Sequence, residues 1–296
     1  MVAQPPSRPG PPRNADADFE RVLRRQVLLD RAHFSPGELD GRAGSSLASA
    51  ARAYARERMG GLNVDEAAIA DMLASNDPAP VLTTYTITQA DVKGPFEPIP
   101  ADMMKQAELK ALGYASAIEG IAEKFHASPT LLKRLNPQAK WVADEEISVP
   151  NVSRSTITGA AKVVVSKADQ SVMALDSAGA VMARYPATLG SERDPLPLGE
   201  WKINGVSRNP PFNYNPDLFG DAKPRHSKAV LPPGPNNPVG VVWIDLSKEN
   251  MGIHGTPEPS IIGKRQSHGC IRLTNWDASE LADLVKPGTP ASLVER

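Results

Sequence analysis

The sequence predicts a multidomain fold in which a small α-helical module and a small α+β module precede a β-rich sandwich or barrel. Three observations support this prediction. Apolar residues recur at helical spacing within residues 18–75, a linker with two prolines follows at 76–80, and short alternating strands dominate from Lys162 onward. With 296 residues, the chain is long enough for two or more domains that each bury a core.

The composition excludes several classes of function. The formal net charge is -1, so no basic field would attract nucleic acid and we expect no such partner. The mean hydropathy is -0.32, and no apolar run reaches the ~18 residues that a membrane span needs. The single cysteine excludes an internal disulfide. Residues 1–17 are rich in proline and predict a disordered leader, without the charged start and apolar centre of an export signal.

Residues 18–77 predict a helical module. Apolar side chains three and four positions apart indicate a first helix, a loop through Gly37 and Gly41 follows, and a second helix is predicted from about Ser45 to Met59. This order of helix, loop and helix resembles a small three-helix peptidoglycan-binding module, and the alternative is an ordinary helical hairpin. The apolar positions of the first helix are Phe19, Val22, Leu23, Val27 and Leu28.

Residues 80–153 predict an α+β module. Thr83 to Thr88 alternates as a strand, two short helices follow, and Ile147 to Pro150 predicts a closing strand. This order, together with Leu135-Asn136-Pro137, resembles a LysM domain, which implies binding to glycan strands. Residues 89–113 depart from that pattern as an insertion after the first strand. The alternative is a structural spacer built on a LysM-like fold.

Residues 156–296 predict the β-rich domain. One helix is predicted at 277–285, with Asp277 as its N-cap. The segment 208–238 is rich in proline and aromatic residues and predicts an ordered lid, the alternative being a mobile insertion. Runs that alternate or are apolar throughout predict strands at 163–165, 171–175, 181–185, 199–205, 239–246, 252–254 and 292–294.

The residues that carry chemistry cluster in the last strands of this domain. Cys270 is the only cysteine, His268 precedes it by two positions, and His254 lies further upstream. A thiol beside a histidine can act as a nucleophile with its base, and either histidine fits the base role. The alternatives are a buried cysteine that acts as a small apolar side chain, and a zinc site formed by all three residues.

Groups next to Cys270 suit an acyl transfer. The backbone N–H groups of Gly269 and Cys270 are candidate donors to a developing oxyanion, because glycine permits a turn that directs both inward. Arg272 offers a planar fork that fits a carboxylate, and it either holds the substrate or braces the site. We expect no metal ion and no cofactor.

His254-Gly255, followed by Ser267-His268-Gly269-Cys270 and then Arg272, resembles the active-site motif of the YkuD-type L,D-transpeptidase domain. The resemblance implies that Cys270 is the nucleophile and His254 the base, with the carbonyl of Gly255 orienting the imidazole. His268 would shape the pocket. The residues expected at the substrate are Arg272, Ser267, Tyr214, Phe212 and Trp243.

The resemblance also implies a reaction and a setting. A thioester acyl-enzyme would form on a peptidoglycan tetrapeptide stem with release of D-alanine, and an amine would then resolve it into a 3-3 cross-link or a link to an outer-membrane protein. The alternatives are an L,D-carboxypeptidase, in which water is the acceptor, and a cell-wall-binding protein without activity. We expect a monomeric, periplasmic or cell-envelope protein that carbapenems acylate, with its export signal absent from this chain.

Overall fold

The computed structural model describes residues 14–61, 65–190, 194–218, 223–264 and 269–296. Most of the predicted leader, residues 1–17, lies outside these ranges. Its last four residues belong to a helix, so the leader prediction extends too far along the chain. Among the helices described, none combines the length and the apolar character needed to cross a lipid bilayer.

The N-terminal region contains three helices, α1 (Asn14–Arg31), α2 (Ser45–Met59) and α3 (Glu66–Asn76). Helix α2 ends at Gly60, whose φ of 67° is a left-handed conformation that glycine adopts at little cost. Apolar faces of the three helices pack around Phe34 and Tyr54, whose rings meet edge to face. Val181 of the large sheet belongs to the same core, so this core is not confined to the helical module.

A strand, three helices and a strand follow, which is the predicted order apart from the first, short helix inside the insertion at 89–113. The elements are β1 (Leu82–Thr86), the short α4 (Met103–Gln106), α5 (Ala117–Lys124), α6 (Pro129–Leu135) and β2 (Glu146–Pro150). Strands β1 and β2 pair antiparallel. Ser116 and Ser128 cap α5 and α6, because each side chain accepts a hydrogen bond from a backbone N–H in the first helical turn. The LysM assignment of this module stays a prediction.

An eight-stranded sheet forms the C-terminal domain, in the order β11-β10-β9-β6-β12-β3-β4-β5. Its two ends meet where Thr188 and Arg272 exchange backbone hydrogen bonds, so the sheet curls on itself around one core. Strands β7 and β8 form a separate hairpin. The elements are β3 (Lys162–Ser166), β4 (Ser171–Leu175), β5 (Val181–Pro186), β6 (Gly199–Arg208), β7 (Phe212–Tyr214), β8 (Ala229–Leu231), β9 (Val242–Leu246), β10 (Gly252–His254), β11 (Ile271–Arg272), α7 (Asn275–Leu284) and β12 (Pro290–Val294).

Two predicted boundaries need correction. Strand β9 begins at Val242 and not at residue 239, because Gly240 takes a φ of 62° and interrupts the extended chain. Helix α7 begins at Asn275, and its N-cap is Thr274, whose side chain accepts from the N–H of Asp277. Asp277 therefore lies inside the first turn of the helix and does not cap it.

The N-terminal region is joined to the sheet along its edge strand β5. The N–H of Arg184 donates to the carbonyl of His33, and the N–H of Ser35 donates to the carbonyl of Arg184. Helix α2 packs against the same strand. These bonds cover an edge that would otherwise offer unpaired backbone groups. The predicted boundary at residue 156 therefore separates segments of sequence that share a core in the structure.

The insertion at 89–113 packs on the predicted lid, residues 208–238. Leu112, Tyr214 and Leu231 form a small apolar core between them. The N–H of Leu112 donates to the carbonyl of Pro233, and Asp102 accepts from Lys223 and Arg225. The hairpin β7–β8 is thus anchored by the N-terminal region. Whether the segment covers the candidate site stays a prediction.

Candidate active site

Strands β10 and β11 bring the two parts of the sequence motif together. They pair in parallel, with Ile253 opposite Ile271 and His254 opposite Arg272. Both isoleucines are buried in the core of the sheet, which fixes the register of this short pair. Cys270 directly precedes β11, and the backbone N–H of Gly252 on β10 donates a hydrogen bond to its sulfur. The thiol therefore lies against the strand that carries His254.

The imidazole of His254 is held in one tautomer. Its Nδ1 lies 2.7 Å from the carbonyl oxygen of Gly255, and a carbonyl can only accept. Nδ1 therefore carries the hydrogen, and Nε2 keeps a lone pair that can accept a proton. This is the contact that the family resemblance implies for Gly255.

Trp243 contacts the imidazole directly. It lies opposite His254 on strand β9, and the two rings stack with centroids 5.4 Å apart and planes 16° apart. The indole thus fixes the tilt of the imidazole from one face. Trp243 was expected to contact the substrate, and the stacking shows that it also contacts the imidazole of His254. Its contact with substrate stays a prediction.

Both partners of the candidate pair are neutral before substrate binds. Burial lowers the pKa of His254 to about 3, the charge of Arg272 adds to that effect, and the hydrogen bond to Gly255 opposes it. Burial raises the pKa of the Cys270 thiol, while the Gly252 N–H and Arg272 pull it back in part. A thiol and a neutral imidazole are therefore favoured over a thiolate and an imidazolium.

The backbone at Gly269 has the freedom that an oxyanion turn needs. Its φ is 103°, a conformation that residues with a side chain rarely adopt. A Cβ atom at this position would lie 4.0 Å from the Cβ of Asp194, so the loop after β5 passes close to the nucleophile. The assignment of the Gly269 and Cys270 N–H groups as oxyanion donors stays a prediction.

The other predicted site residues occupy three different places. Arg272 is half-buried on β11 and influences the pKa of both His254 and Cys270. Tyr214 is 4% exposed, and its hydroxyl lies 2.8 Å from Nδ1 of His226, so it packs inside the small core beside Phe212. Ser267 and His268 lie outside the described residues.

The zinc alternative finds no further ligands in the described part of the chain. Within the ranges that the structure describes, no group of three or more His, Cys, Asp or Glu side chains could hold a metal ion. His268 lies outside those ranges, so the proposed set of His254, His268 and Cys270 is not tested.

Asn275 is a site residue whose importance the sequence did not reveal. It is 1% exposed, and its Oδ1 accepts from the N–H of Val241 while its Nδ2 donates to the carbonyl of Pro235. A Cβ atom on either Gly240 or Gly255 would collide with Oδ1. In the sequence Asn275 is only an amide two positions before the predicted helix at 277–285, and no local pattern reports its contacts with distant segments.

A cleft of about 390 Å³ separates the α+β module from α7. Phe96, Tyr114 and Trp276 contribute to its apolar surface. Two carboxylates of its lining are already saturated, because Asp91 accepts from Lys124 and Tyr85, while Glu123 accepts from Tyr114 and Asn275. The cleft is thus bounded by polar groups that satisfy one another.

The chain also resembles known proteins in sequence. Residues 160–293 match the YkuD family, described as the L,D-transpeptidase catalytic domain. The chain is 32% identical to "Putative L,D-transpeptidase YkuD" of Bacillus subtilis (strain 168) over 178 residues, 60% of this chain and 92% of that protein. It is 40% identical to "Probable L,D-transpeptidase YbiS" of Escherichia coli (strain K12) over 67 residues, 23% of this chain and 22% of that protein.

A solved structure, L,D-transpeptidase 3 from Mycobacterium tuberculosis, matches with a TM-score of 0.38 and 18% identity, covering 53% of this chain and 77% of that one. The sequence likeness to the Bacillus protein is the stronger finding. The 178 aligned residues are more than the chain has after residue 160, so the likeness to the Bacillus protein continues into the segment before the family match. Because the chain covers nearly the whole of a relative that is 32% identical, it belongs to the YkuD family of L,D-transpeptidases.

Proposed function

We propose that this L,D-transpeptidase works through a Cys270 thioester on peptidoglycan tetrapeptide stems, with His254 as the base. One observation carries the proposal: the hydrogen bond from His254 Nδ1 to Gly255 leaves Nε2 free to accept a proton, beside the strand pair that holds the only thiol of the chain. A nucleophile needs a base within reach and a third group that orients the base. Here a backbone carbonyl takes the place of a carboxylate.

The first half-reaction transfers the stem to the enzyme. Cys270 Sγ attacks the carbonyl carbon that precedes the terminal D-alanine, and the thiol proton passes to His254 Nε2. The carbon–nitrogen bond then breaks, the D-alanine amine takes that proton as it leaves, and a thioester remains on Sγ. The second half-reaction reverses these transfers. An acceptor amine attacks the thioester, its proton passes through Nε2 to Sγ, and the free thiol returns.

The neutral state of the pair fits this sequence of proton transfers. A pKa of about 3 for His254 means that the imidazole is unprotonated at neutral pH in the free enzyme, and the negative charge that develops on sulfur during attack raises its basicity. The raised pKa of Cys270 means that this proton leaves as attack begins and not before. A neutral thiol also resists unwanted alkylation and oxidation between turnovers.

Arg272 is proposed to contact the stem as well as to brace β11. Its backbone is fixed by the hydrogen bonds with Thr188, and its charge acts to lower the pKa of both His254 and Cys270, which supports a position of the guanidinium near the reacting pair. A guanidinium there favours the negative charge that develops on the carbonyl oxygen, and it suits the terminal carboxylate of the leaving D-alanine.

The N-terminal modules are proposed to bring the enzyme to its polymer. Their resemblance to peptidoglycan-binding and LysM modules supports contact with glycan strands, and tethering raises the local concentration of stems. We also propose that the protein is a monomer in the cell envelope and that Phe212 and Tyr214 belong to a lid over the stem. The amine of an outer-membrane protein is a second acceptor.

Mass spectrometry of two reactions tests the proposal. Wild-type protein incubated with a carbapenem should gain the mass of one acyl adduct, and Cys270→Ala should gain none. With purified tetrapeptide stems, the wild type should release D-alanine and form 3-3 linked dimers. Release of D-alanine with tripeptide as the sole other product would make water the acceptor, and an adduct that persists in Cys270→Ala would refute the nucleophile.

A further inference from the structure

The orientation of the proposed base depends on one residue, Gly255. The Gly255 carbonyl holds Nδ1 of His254 at 2.7 Å, so any movement of this carbonyl turns the imidazole and moves Nε2. The Gly255 N–H donates to the carbonyl of Val242 at 3.2 Å, which anchors the N-terminal side of this residue. The other side has no strand partner of its own in the pairing of β10 and β11, which ends at His254.

Asn275 fills that other side. Its Oδ1 lies against the Cα atoms of Gly240 and Gly255, where a Cβ atom on either residue would collide with it. The same oxygen accepts from the Val241 N–H at 3.2 Å. The amide of Asn275 therefore acts as a spacer between the chain that enters β9 and the chain that leaves β10.

The amide is itself oriented by its Nδ2 group. Nδ2 donates to the carbonyl of Pro235 at 3.2 Å and to Oε2 of Glu123 at 2.9 Å. The bond to Glu123 is the shorter of the two, and its acceptor is a carboxyl group, which forms stronger hydrogen bonds than a neutral carbonyl when it is ionised. Glu123 belongs to helix α5 of the N-terminal region, far from the motif in sequence.

Glu123 is a fixed anchor and not a mobile surface group. Its other oxygen, Oε1, accepts from the Tyr114 hydroxyl at 2.9 Å. Burial raises its pKa, which the hydrogen bonds from Asn275 and Tyr114 oppose in part. A carboxyl held at both oxygens can transmit its position to a neighbour, because neither oxygen can rotate away without losing a bond.

We infer that Glu123 is a positioning residue for His254, acting through Asn275 and the Gly255 peptide, so that the N-terminal module completes the active site. The inference rests on the proposed role of His254. It assigns the α+β module a part in the chemistry besides any contact with glycan. Without Glu123, Nδ2 of the buried Asn275 amide loses one of its acceptors, and an unsatisfied buried donor costs free energy. The amide then shifts toward another acceptor, which releases the Gly255 carbonyl.

Two substitutions at Glu123 and one matched control test the inference. Glu123→Ala removes the acceptor, whereas Glu123→Gln keeps an oxygen for Asn275, turns an NH₂ group toward the Tyr114 hydroxyl, which can accept, and removes the ionisable group. Glu119→Ala is the control, because Glu119 lies one turn earlier on α5 and accepts from Asn236 of the lid segment, without contacting Asn275. The readouts are the maximal rate of acylation by a carbapenem, the concentration at half-maximal rate, and the Nδ1–H proton resonance of His254.

Glu123→Ala should lower the maximal acylation rate roughly 10- to 100-fold with little change in the half-saturating concentration, since misplacement of a reacting group costs rate and not binding. The Nδ1–H resonance should shift or broaden. Glu123→Gln and Glu119→Ala should both stay within about twofold of the wild type in rate and keep the resonance.

Three results would overturn the inference. The first is a wild-type acylation rate and resonance in Glu123→Ala. The second is a loss of rate in Glu119→Ala as large as in Glu123→Ala, which would show a general effect of module docking. The third is a loss as large in Glu123→Gln, which would show that charge and not contact matters. If the wild type itself is not acylated, the proposed function fails. The resonance of His254 still tests the positioning role in that case.

Discussion

Ionisable groups are buried both at the β10–β11 pair and at the junction of the modules. At the first place the neighbouring charge favours the neutral form of the buried group, and at the second it favours the charged form. At the β10–β11 pair, burial and then the charge of Arg272 lower the pKa of His254 to about 3. At the junction of the modules, Asp30 is fully buried, and burial alone would raise its pKa. His126 and Arg154 outweigh that effect and hold the pKa of Asp30 below its ordinary value of 3.8.

The difference shows that the sign of the neighbouring charge decides what burial does. Arg272 has the same sign as an imidazolium and adds to the cost of burying it, so the site stays neutral and able to exchange a proton. Around Asp30 the guanidinium of Arg154 has the opposite sign, so Asp30 keeps its charge and the ion pair joins the modules. Arg154 links Asp30 of α1 to Glu280 of α7, and His126 both contacts Asp30 and stacks on Trp276.

The largest effect is expected from breaking the neutral pair at the site. His254→Asn keeps a donor near the Gly255 carbonyl but removes Nε2, so the rate of carbapenem acylation should fall about 10²- to 10⁴-fold. Stopped-flow or mass-spectrometric acylation rates measure this. His268→Asn is the matched variant, and if it causes the greater loss while His254→Asn remains active, the two histidines have exchanged roles.

Breaking the charged junction should cost stability and not chemistry. Arg154→Met leaves Asp30 buried with one fewer positive partner, and the free energy of unfolding should fall by about 3 kcal/mol. Urea unfolding at neutral pH measures this loss, while the acylation rate of the folded protein should stay near that of the wild type. An unchanged unfolding midpoint would mean that His126 by itself compensates Asp30.

The pH dependence of stability sharpens the comparison. The folded-state pKa of His254 lies below its ordinary value of 6.5, so the unfolded chain gains a proton first as pH falls, and stability is lost between pH 6.5 and about 3. Going from about pH 7 to about pH 4.5 should therefore cost the wild type about 2 kcal/mol more than it costs His254→Asn. Equal losses in the two proteins would show that the pKa of His254 is not lowered in the fold.

The smallest effect is expected at the surface. Arg208 and Asp283 form an ion pair of 2.5 Å, and both side chains are more than half exposed. Because water and salt screen such a pair, Arg208→Met should change the free energy of unfolding by less than about 1 kcal/mol. The same urea assay serves as the control for Arg154→Met, and a loss as large as at Arg154 would remove the distinction between the junction and the surface.

The sequence predicted the regular elements well wherever short-range pattern determines structure. The strands at Ser171–Leu175 and Gly252–His254 and the helix at Ser45–Met59 have the predicted bounds. The bounds were missed where a side chain from elsewhere intervenes. Gly240 interrupts the extended chain before β9 because the Asn275 amide fills the space beside it, and no local pattern reports that contact.

The sequence predicted only part of the candidate site, again because some of its contacts join segments that are far apart in the chain. His254, Gly255 and Cys270 are visible because the chemistry needs a thiol, an imidazole and an adjacent carbonyl within two short motifs. Asn275 and Glu123 were missed because their role depends on a contact between residues 152 positions apart. Tyr214 was expected at the substrate because it is aromatic, but it packs in the small core with Leu112. Leu112 belongs to residues 89–113, which the sequence showed only as an unexplained insertion.

The sequence by itself determined the family, the identity of the nucleophile candidate and the order of most strands and helices, because these depend on residue type and local periodicity. It did not predict the short elements α4, β7, β8 and β11. Only the tertiary structure decided that the modules share a core, that Asp30 keeps its charge among His126 and Arg154, and that His254 is held neutral beside Arg272. Burial and the distance between charges arise from packing of distant segments. They are therefore set by the fold as a whole, and no single stretch of the chain contains them.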